Sequence, residues 1–411
     1  MPSFTGYYET KNLDPFTLEK AYEALKYERS AIGYYDLPTS SLELCADVKN
    51  ALLASTVFFN TIAIVGIGGS SLGIKAIDRL LRASTPHAKK IIYFENSDPI
   101  SIAYESSNIE FAKTLFVVIS KSGGTVETLS IFKYLIHKFD IDLKNSTQVV
   151  VVSDEGSILS QFADHYGLKR FVIPSNVGGR FSVLSAVGVI PLVLAGFNVE
   201  AVLEGAKNFA DNFWARKEEH LLQKAAFYVA NAKVSPINVL FSYSDTFEEF
   251  GKWVVQIWGE SLGKRNVRGE RVGLTPISLI GSVDQHSFLQ LIIEGPLNKT
   301  VTFMHIEHSR DELMIPDLSL PFLEKSNFVN GESFNTLINA QCKATMQSVL
   351  QSGVSVDEIT WECIDEASVG KMIMYYELLT SATGALFEIN TYDQPGVEHG
   401  KKILESYFLD K

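Results

Sequence analysis

Between residues 120 and 128 the chain reads Ser-Lys-Ser-Gly-Gly-Thr-Val-Glu-Thr. This stretch directly follows the apolar β-branched run Leu115–Ile119 and opens a helical pattern. Two glycines let a backbone approach an anion closely. The free N–H groups and the dipole at a helix start favour negative charge. The hydroxyls of Ser120, Ser122, Thr125 and Thr128 can donate to the terminal oxygens of a phosphate monoester. The loop lacks the GxxxxGK[ST] order of a nucleotide-binding P-loop, so it reads as a site for a phosphate group.

Other stretches combine glycine with polar or reactive groups. Val65-Gly66-Ile67-Gly68-Gly69-Ser70-Ser71-Leu72-Gly73 is a second strand-to-helix turn. A dinucleotide fingerprint from Gly66 needs glycine at 71, where Ser71 stands. The turn reads better as a wall of the ligand site, with Ser70 reaching ligand oxygens. Gly178-Gly179-Arg180 places a guanidinium beside flexible backbone, suited to a developing oxyanion. Gly259-Glu260-Ser261-Leu262-Gly263-Lys264, Asp284-Gln285-His286 and the run from Asp393 to Lys402 carry acid–base groups. Taken singly, each also fits an ordinary polar turn.

Positioning these loops requires a layered scaffold. Short apolar runs at Thr61–Val65, Ile91–Phe94, Thr114–Ile119 and Gln148–Val152 alternate with helical patterns at Leu72–Leu81 and Val126–His137. That alternation predicts a parallel sheet covered on both faces. It returns more weakly with strands at Asn238–Phe241, Leu279–Ile280 and Val301–His305 and helices at Phe247–Ser261 and Gln285–Ile293. The expectation is an α/β protein with two doubly wound parallel-sheet domains, helices on both faces, and a helical C-terminal arm. The divisions read are a helical segment over 1–47, a first domain over 48–190 holding the phosphate loop, a helical connection over 191–214, a second domain over 215–365 and the arm over 366–411. Open sheets of this kind bind ligands beyond the carboxyl ends of their strands.

The 411 residues carry a net charge of −12, which argues against a broad nucleic-acid footprint. The run Phe181–Phe197 is interrupted by serines, Gly188 and Pro191 and falls short of the roughly 20 residues of a membrane helix; it reads as a buried core helix. The N-terminal stretch shows no basic start followed by an apolar core, so no signal peptide is expected. Three scattered cysteines, Cys45, Cys342 and Cys363, make a poor disulfide framework and point to the cytoplasm.

Taken together and in order, the glycine turn at 66–73, the loop at 120–128, Gly-Gly-Arg at 178–180, Gly-Glu-Ser-x-Gly-Lys at 259–264, Asp-Gln-His at 284–286 and Gln-x-Gly-Val-Glu-x-x-Lys at 394–401 resemble the glucose-6-phosphate isomerase family. The last stretch is the most specific piece. The resemblance implies two sugar-isomerase domains, no metal and no organic cofactor. It implies interconversion of glucose 6-phosphate and fructose 6-phosphate, a step of glycolysis and gluconeogenesis. By motif, Glu260 falls on the family's catalytic base, His286 and Lys401 on the ring-opening groups, and Arg180 on the group that stabilises the enediolate. Ser120, Lys121, Thr125 and Thr128 fall on the phosphate loop, and Ser70 and Gln394 on further substrate contacts. The resemblance also implies a homodimer with shared active sites, in which His286 serves the partner subunit, and neither nucleic-acid nor membrane partners. Departures are Pro395, where larger members carry an aromatic residue, and His399, where they carry an apolar one.

The chemistry asks for such a set. A cyclic hexose phosphate must first open, which a histidine can catalyse near neutral pH. A carboxylate must then carry a proton between C2 and C1, and a fixed arginine favours the anionic cis-enediolate over the substrate. Three rivals are weaker. A non-catalytic sugar-phosphate sensor has no need of Glu260, His286 and Lys401 together. A dinucleotide-dependent redox enzyme lacks its third glycine. A metal-dependent isomerase would rest on His305-Ile306-Glu307-His308, whose spacing fits no standard zinc pattern and which reads as a surface strand.

Overall fold

The computed structural model describes residues 1–7, 14–54 and 58–409. One five-stranded sheet contains β2 (Thr61–Val65), β3 (Lys90–Phe94), β4 (Thr114–Ile119), β5 (Val149–Asp154) and β6 (Lys169–Ile173), in the order β3-β2-β4-β5-β6 and parallel throughout. β2 and β4 are buried along their whole length, as strands covered on both faces must be. The chain leaves β2 toward one edge and returns at β4 on the other side. The β2/β4 junction is therefore the switch point at which such sheets open a crevice.

The second sheet joins β1 (Ser3–Gly6), β7 (Ile237–Tyr243), β10 (Thr275–Ile280), β11 (Lys299–Ile306) and β12 (Ser355–Trp361) in the order β1-β12-β11-β7-β10. Four strands are parallel, and β1 pairs antiparallel with β12. A small antiparallel pair, β8 (Lys264–Arg265) with β9 (Arg271–Val272), stands apart.

The first sheet's predicted strands recur within a residue or two. β1, β6 and β12 were not anticipated. β6 is a half-exposed edge strand, and β12 interrupts its apolar residues with Asp357 and Glu358. Asp357 is nonetheless buried, because Lys224 Nζ bonds it at 2.5 Å and Thr302 Oγ1 at 2.7 Å. The helix expected over Gln285–Ile293 breaks into a 3₁₀ turn, Val283–His286, and a short helix, Leu289–Ile293. Asp284 is the cause: its carboxylate accepts from the Ile280 amide at 2.7 Å and from Ser287 Oγ at 2.6 Å, and such local bonds compete with a helix.

His305 corrects another expectation. It lies on β11 in the middle of its sheet, buried, not on a surface strand. Its ring nitrogens sit 2.7 Å from Asn339 Oδ1 and 2.9 Å from Glu358 Oε1. Glu307 and His308 lie beyond the strand's end.

Helices tie the two sheets together. The apolar run becomes the buried helix Ala186–Ala195, capped by Ser185 and ended by Gly196 at φ 100°. The helix Glu366–Phe387, which falls in the expected arm, is mostly buried. One hydrophobic core runs from Ile62 and Ile64 of the first sheet through Phe213 and Trp253 to Met304 and Trp361 of the second. The helix Leu37–Ala54 crosses the division expected at 47, and β1 carries the N-terminal segment into the second sheet. Among the described residues no helix is long and apolar enough to cross a membrane.

Candidate active site

The loop at 120–128 forms by local rules. It lies at the carboxyl end of β4, and Thr125 is the N-cap of the helix Val126–Phe139, without a side-chain cap bond. The first N–H groups of that helix are thus left for an anion. Gly123 sits at φ +70°, and a Cβ there would collide with Ser157 and with the Leu159 amide. Ser120 and Thr125 hydroxyls lie 2.9 Å apart. Thr128 is buried, and its Oγ1 has no hydrogen-bond partner among the described residues. The Ser122 hydroxyl accepts from the Gly124 amide at 3.4 Å. Lys121 Nζ is held by Asp154 Oδ2 at 2.5 Å and by the Ser175 carbonyl at 3.3 Å.

The Ser70 turn lies against the end of β4 and against the Gly179–Arg180 backbone. It follows β2 as a 3₁₀ turn, Gly68–Ser70, next to β4. A Cβ on Gly66 would crowd the Ile119 carbonyl, and one on Gly69 would collide with the Gly179 carbonyl and the Arg180 amide. The glycines therefore let three loops from distant parts of the sequence touch.

Arg180 is 3% exposed. Its Nε donates to Ser261 Oγ at 2.6 Å, one terminal nitrogen to Gln394 Oε1 at 3.1 Å, and the other to the Thr391 and Asp393 carbonyls at 2.6 and 3.1 Å. Glu260 Oε1 lies 3.8 Å from the nitrogen that holds Gln394. Burial pulls the guanidinium below its ordinary pKa, and the charges of Glu260 and Asp393 act the other way. An arginine held in this way stays charged, and its planar fork is fixed on four partners.

Glu260 is on the helix Glu248–Leu262, which buries Phe250, Trp253, Val254, Ile257 and Trp258. That spacing turns Gln256 and Glu260 to a shared face, where Gln256 Nε2 donates to Glu260 Oε2 at 3.3 Å. Truncating the fully buried Trp253 to alanine would cost about 3–5 kcal/mol and unseat this helix. Glu260 opens on a cleft of about 790 Å³, whose lining includes Lys264, Arg271, Asn390, Asp393 and Gln394.

Sequence reasoning left out Gln256, Ser261 and Lys264 as site residues. Gln256 had a signal, standing one helical turn before Glu260. Lys264 lay in a recognised motif; its Nζ holds the Asn390 carbonyl at 2.9 Å and Asp393 Oδ1 at 3.2 Å. Burial and the neighbouring Arg180 lower its pKa, against the pull of Asp393.

Two expected residues do not join this cluster within one chain. His286 is exposed in the turn after β10, and Lys401 is exposed on the helix Pro395–Leu409; of the expected residues, Glu260 and Gln394 line the cleft, while Arg180, Ser70 and the 120–128 loop lie outside its lining. Among the described residues no group of three His, Cys, Asp or Glu side chains is placed to hold a metal ion.

A buried arginine against a carboxylate suits proton transfer next to a developing oxyanion, and an uncapped helix start suits a phosphate group. Comparison with known proteins agrees in kind. The model of the family described as phosphoglucose isomerase matches residues 54–408. The chain belongs to the phosphoglucose isomerase family. A glucose-6-phosphate isomerase of Campylobacter jejuni is 45% identical over 377 residues, 91% of each chain. One of Thermus thermophilus is 33% identical over 392 residues, covering 93% of this chain and 92% of the other. Among solved structures, a hypothetical protein from Thermus thermophilus superposes with a TM-score of 0.89 at 32% identity, covering 97% of this chain and 96% of the other. A glucose-6-phosphate isomerase from Chlamydia trachomatis shares the fold, with a TM-score of 0.82 at 21% identity over 100% of this chain and 88% of the other.

Proposed function

We propose that this phosphoglucose isomerase family member interconverts glucose 6-phosphate and fructose 6-phosphate through a cis-enediolate. Glu260 is the base that moves a proton between C2 and C1. The observation that carries this reading is the Glu260–Arg180 pair, 3.8 Å apart at a buried guanidinium. An arginine fixed on four partners costs no reorganisation when the enediolate charge forms, so it favours that state over the substrate. Ser120, Ser122, Thr125 and Thr128, with the open helix start behind them, take the phosphate; Lys121 flanks them. Ser70 and Gln394 contact the sugar. Phosphate binding away from C1 and C2 orients the reacting carbons.

Ring opening is assigned to His286 and Lys401, with His286 entering the site of the partner subunit in a homodimer. The exposure of His286 outside the cleft supports this division. So does the exposed apolar surface of the helix Pro395–Leu409, where Ile403, Leu404 and Tyr407 are exposed. The free thiols of Cys45, Cys342 and Cys363 support a cytoplasmic setting.

The test is a coupled assay of fructose 6-phosphate conversion to glucose 6-phosphate. Conversion that survives a chelator supports the reading, and its absence from the folded protein overturns it. Mixing Glu260→Gln with His286→Ala chains tests the shared site. Random pairing should restore about a quarter of wild-type activity, since half the dimers then carry one intact site. No restoration after demonstrated subunit exchange overturns the sharing.

A further inference from the structure

Two of the carbonyls that hold Arg180 belong to Thr391 and Asp393. The residue between them, Tyr392, faces an environment that the proposed chemistry does not use. Its hydroxyl donates to Glu28 Oε1 and lies 2.9 Å from Ser381 Oγ and 3.2 Å from Tyr35 Oη. Tyr35 donates to the same Glu28 oxygen at 2.5 Å. Tyr34 shares Ser381 at 2.7 Å. Glu28 closes the helix Pro15–Glu28, and Ser381 sits in the buried helix Glu366–Phe387.

The same cluster supports Arg180 from its other flank. The Tyr392 ring packs on Phe181 at 5.3 Å between centroids, and Phe181 packs on Tyr34 at 4.8 Å. Phe181 is the neighbour of Arg180 in sequence. The peptide segments on both sides of the guanidinium thus rest on one aromatic group, and a single carboxylate oxygen of Glu28 accepts from two of its phenols. Burial raises the Glu28 carboxyl above its ordinary pKa, and the two phenol bonds oppose that shift.

We propose that Glu28, acting through Tyr392, is a positioning residue for Arg180: it fixes the 390–394 turn whose carbonyls hold the guanidinium beside Glu260. The proposal rests on the reading of Arg180 as the enediolate's partner. Glu28 touches neither Arg180 nor the cleft lining; its effect passes through the turn. Lys264 holds the same turn at Asn390 and Asp393, so release of Glu28 loosens the turn without detaching it.

The experiment compares Tyr392→Phe, Glu28→Leu and Glu28→Gln. Tyr392→Phe keeps the ring on Phe181 and loses the bond to Glu28. Glu28→Gln keeps an oxygen that can accept from both phenols. Four quantities are measured: kcat, KM, the affinity for a five-carbon aldonic acid phosphate that carries the enediolate's charge, and competition by inorganic phosphate. Tyr392→Phe and Glu28→Leu should lower kcat and aldonic acid phosphate affinity together, about five- to tenfold, the weight of one lost hydrogen bond. Inorganic phosphate should bind as in wild type, and Glu28→Gln should lie within about threefold of wild type on the same scale. In an Arg180→Lys background, Tyr392→Phe should add little.

Unchanged kcat with a lowered melting temperature would make the cluster merely structural and overturn the proposal. So would equal loss of inorganic phosphate binding, or a full additive loss on Arg180→Lys. Calorimetric binding of the aldonic acid phosphate reads Arg180 without turnover. A wild-type chain that binds it but fails to isomerise would therefore sink the functional reading, while the affinity pattern across the variants still judges Glu28.

Discussion

The 120–128 loop, proposed to take the phosphate, and the Arg180–Glu260 cluster are built in opposite ways. The loop is one continuous stretch, 120–128, at the end of one strand and the start of one helix. Its donors come from residue types and backbone geometry that the local sequence dictates. The cluster is assembled from afar: Arg180 bonds Ser261, 81 residues on, and Gln394, 214 residues on. Close glycine contacts and a buried helix hold it together. The difference suggests a division of labour. A binding group can rest on local structure, because an anion tolerates several arrangements of donors. A group that must meet a transient charge needs its geometry over-determined from several directions.

Variants can break or sharpen that division. Apart from loss of Glu260 itself, the largest effect is expected at Arg180→Lys, which keeps the charge but cannot hold four partners in a plane. It should lower kcat by about 10²–10³-fold with a small change in KM. Steady-state kinetics checks this, and a loss confined to KM would dissolve the contrast between the two regions. Thr125→Val and Ser120→Ala should act in the opposite sense. Each should raise KM and weaken inorganic phosphate competition by about ten- to hundredfold, with kcat largely kept. A fall in kcat equal to that of Arg180→Lys would show that the loop also serves the reacting carbons.

The smallest effect lies outside both regions and serves as a control on them. His220 stacks on Phe4 at 4.4 Å. Burial, with Lys371 and Lys224 nearby, lowers its pKa from 6.5 to about 4; the Glu218 carboxylate at 3.4 Å does not offset these. The unfolded chain therefore takes up this proton first as the pH falls. The stabilisation is complete above about pH 6.5 and fades toward pH 4, by on the order of 1–3 kcal/mol. Denaturant midpoints at pH 7 and pH 4.5 should show a smaller acid loss in His220→Phe than in wild type. An identical loss would remove His220 as the cause, and neither result should move kcat at pH 7.

The contrast also explains what the sequence could reveal. The strands β2 and β4 and the loop after β4 were legible, because apolar runs followed by glycine and hydroxyl residues encode them locally. The break of the helix at Asp284 depends on one carboxylate reaching back to the Ile280 amide, which periodicity does not register. His305 and Asp357 hid a buried sheet because their partners, Asn339, Glu358 and Lys224, are remote in sequence. At the site, Glu260 and Arg180 were singled out by motif. Their mutual approach, the Gln256 bond and the Tyr392–Glu28 connection depend on packing between distant segments.

The central claim is that Glu260 carries the proton between C1 and C2. The direct measurement is Glu260→Gln, assayed for turnover and for solvent label in deuterated water. The substitution is nearly isosteric, so the Gln256 contact and aldonic acid phosphate binding should survive. Turnover should fall by about 10²–10⁴-fold, the range for loss of a general base. Wild type should place deuterium at C2 of the aldose, and the variant should place none at a detectable rate. A Glu260→Gln protein that keeps more than about a tenth of wild-type turnover, or still exchanges the C2 proton, would contradict the account.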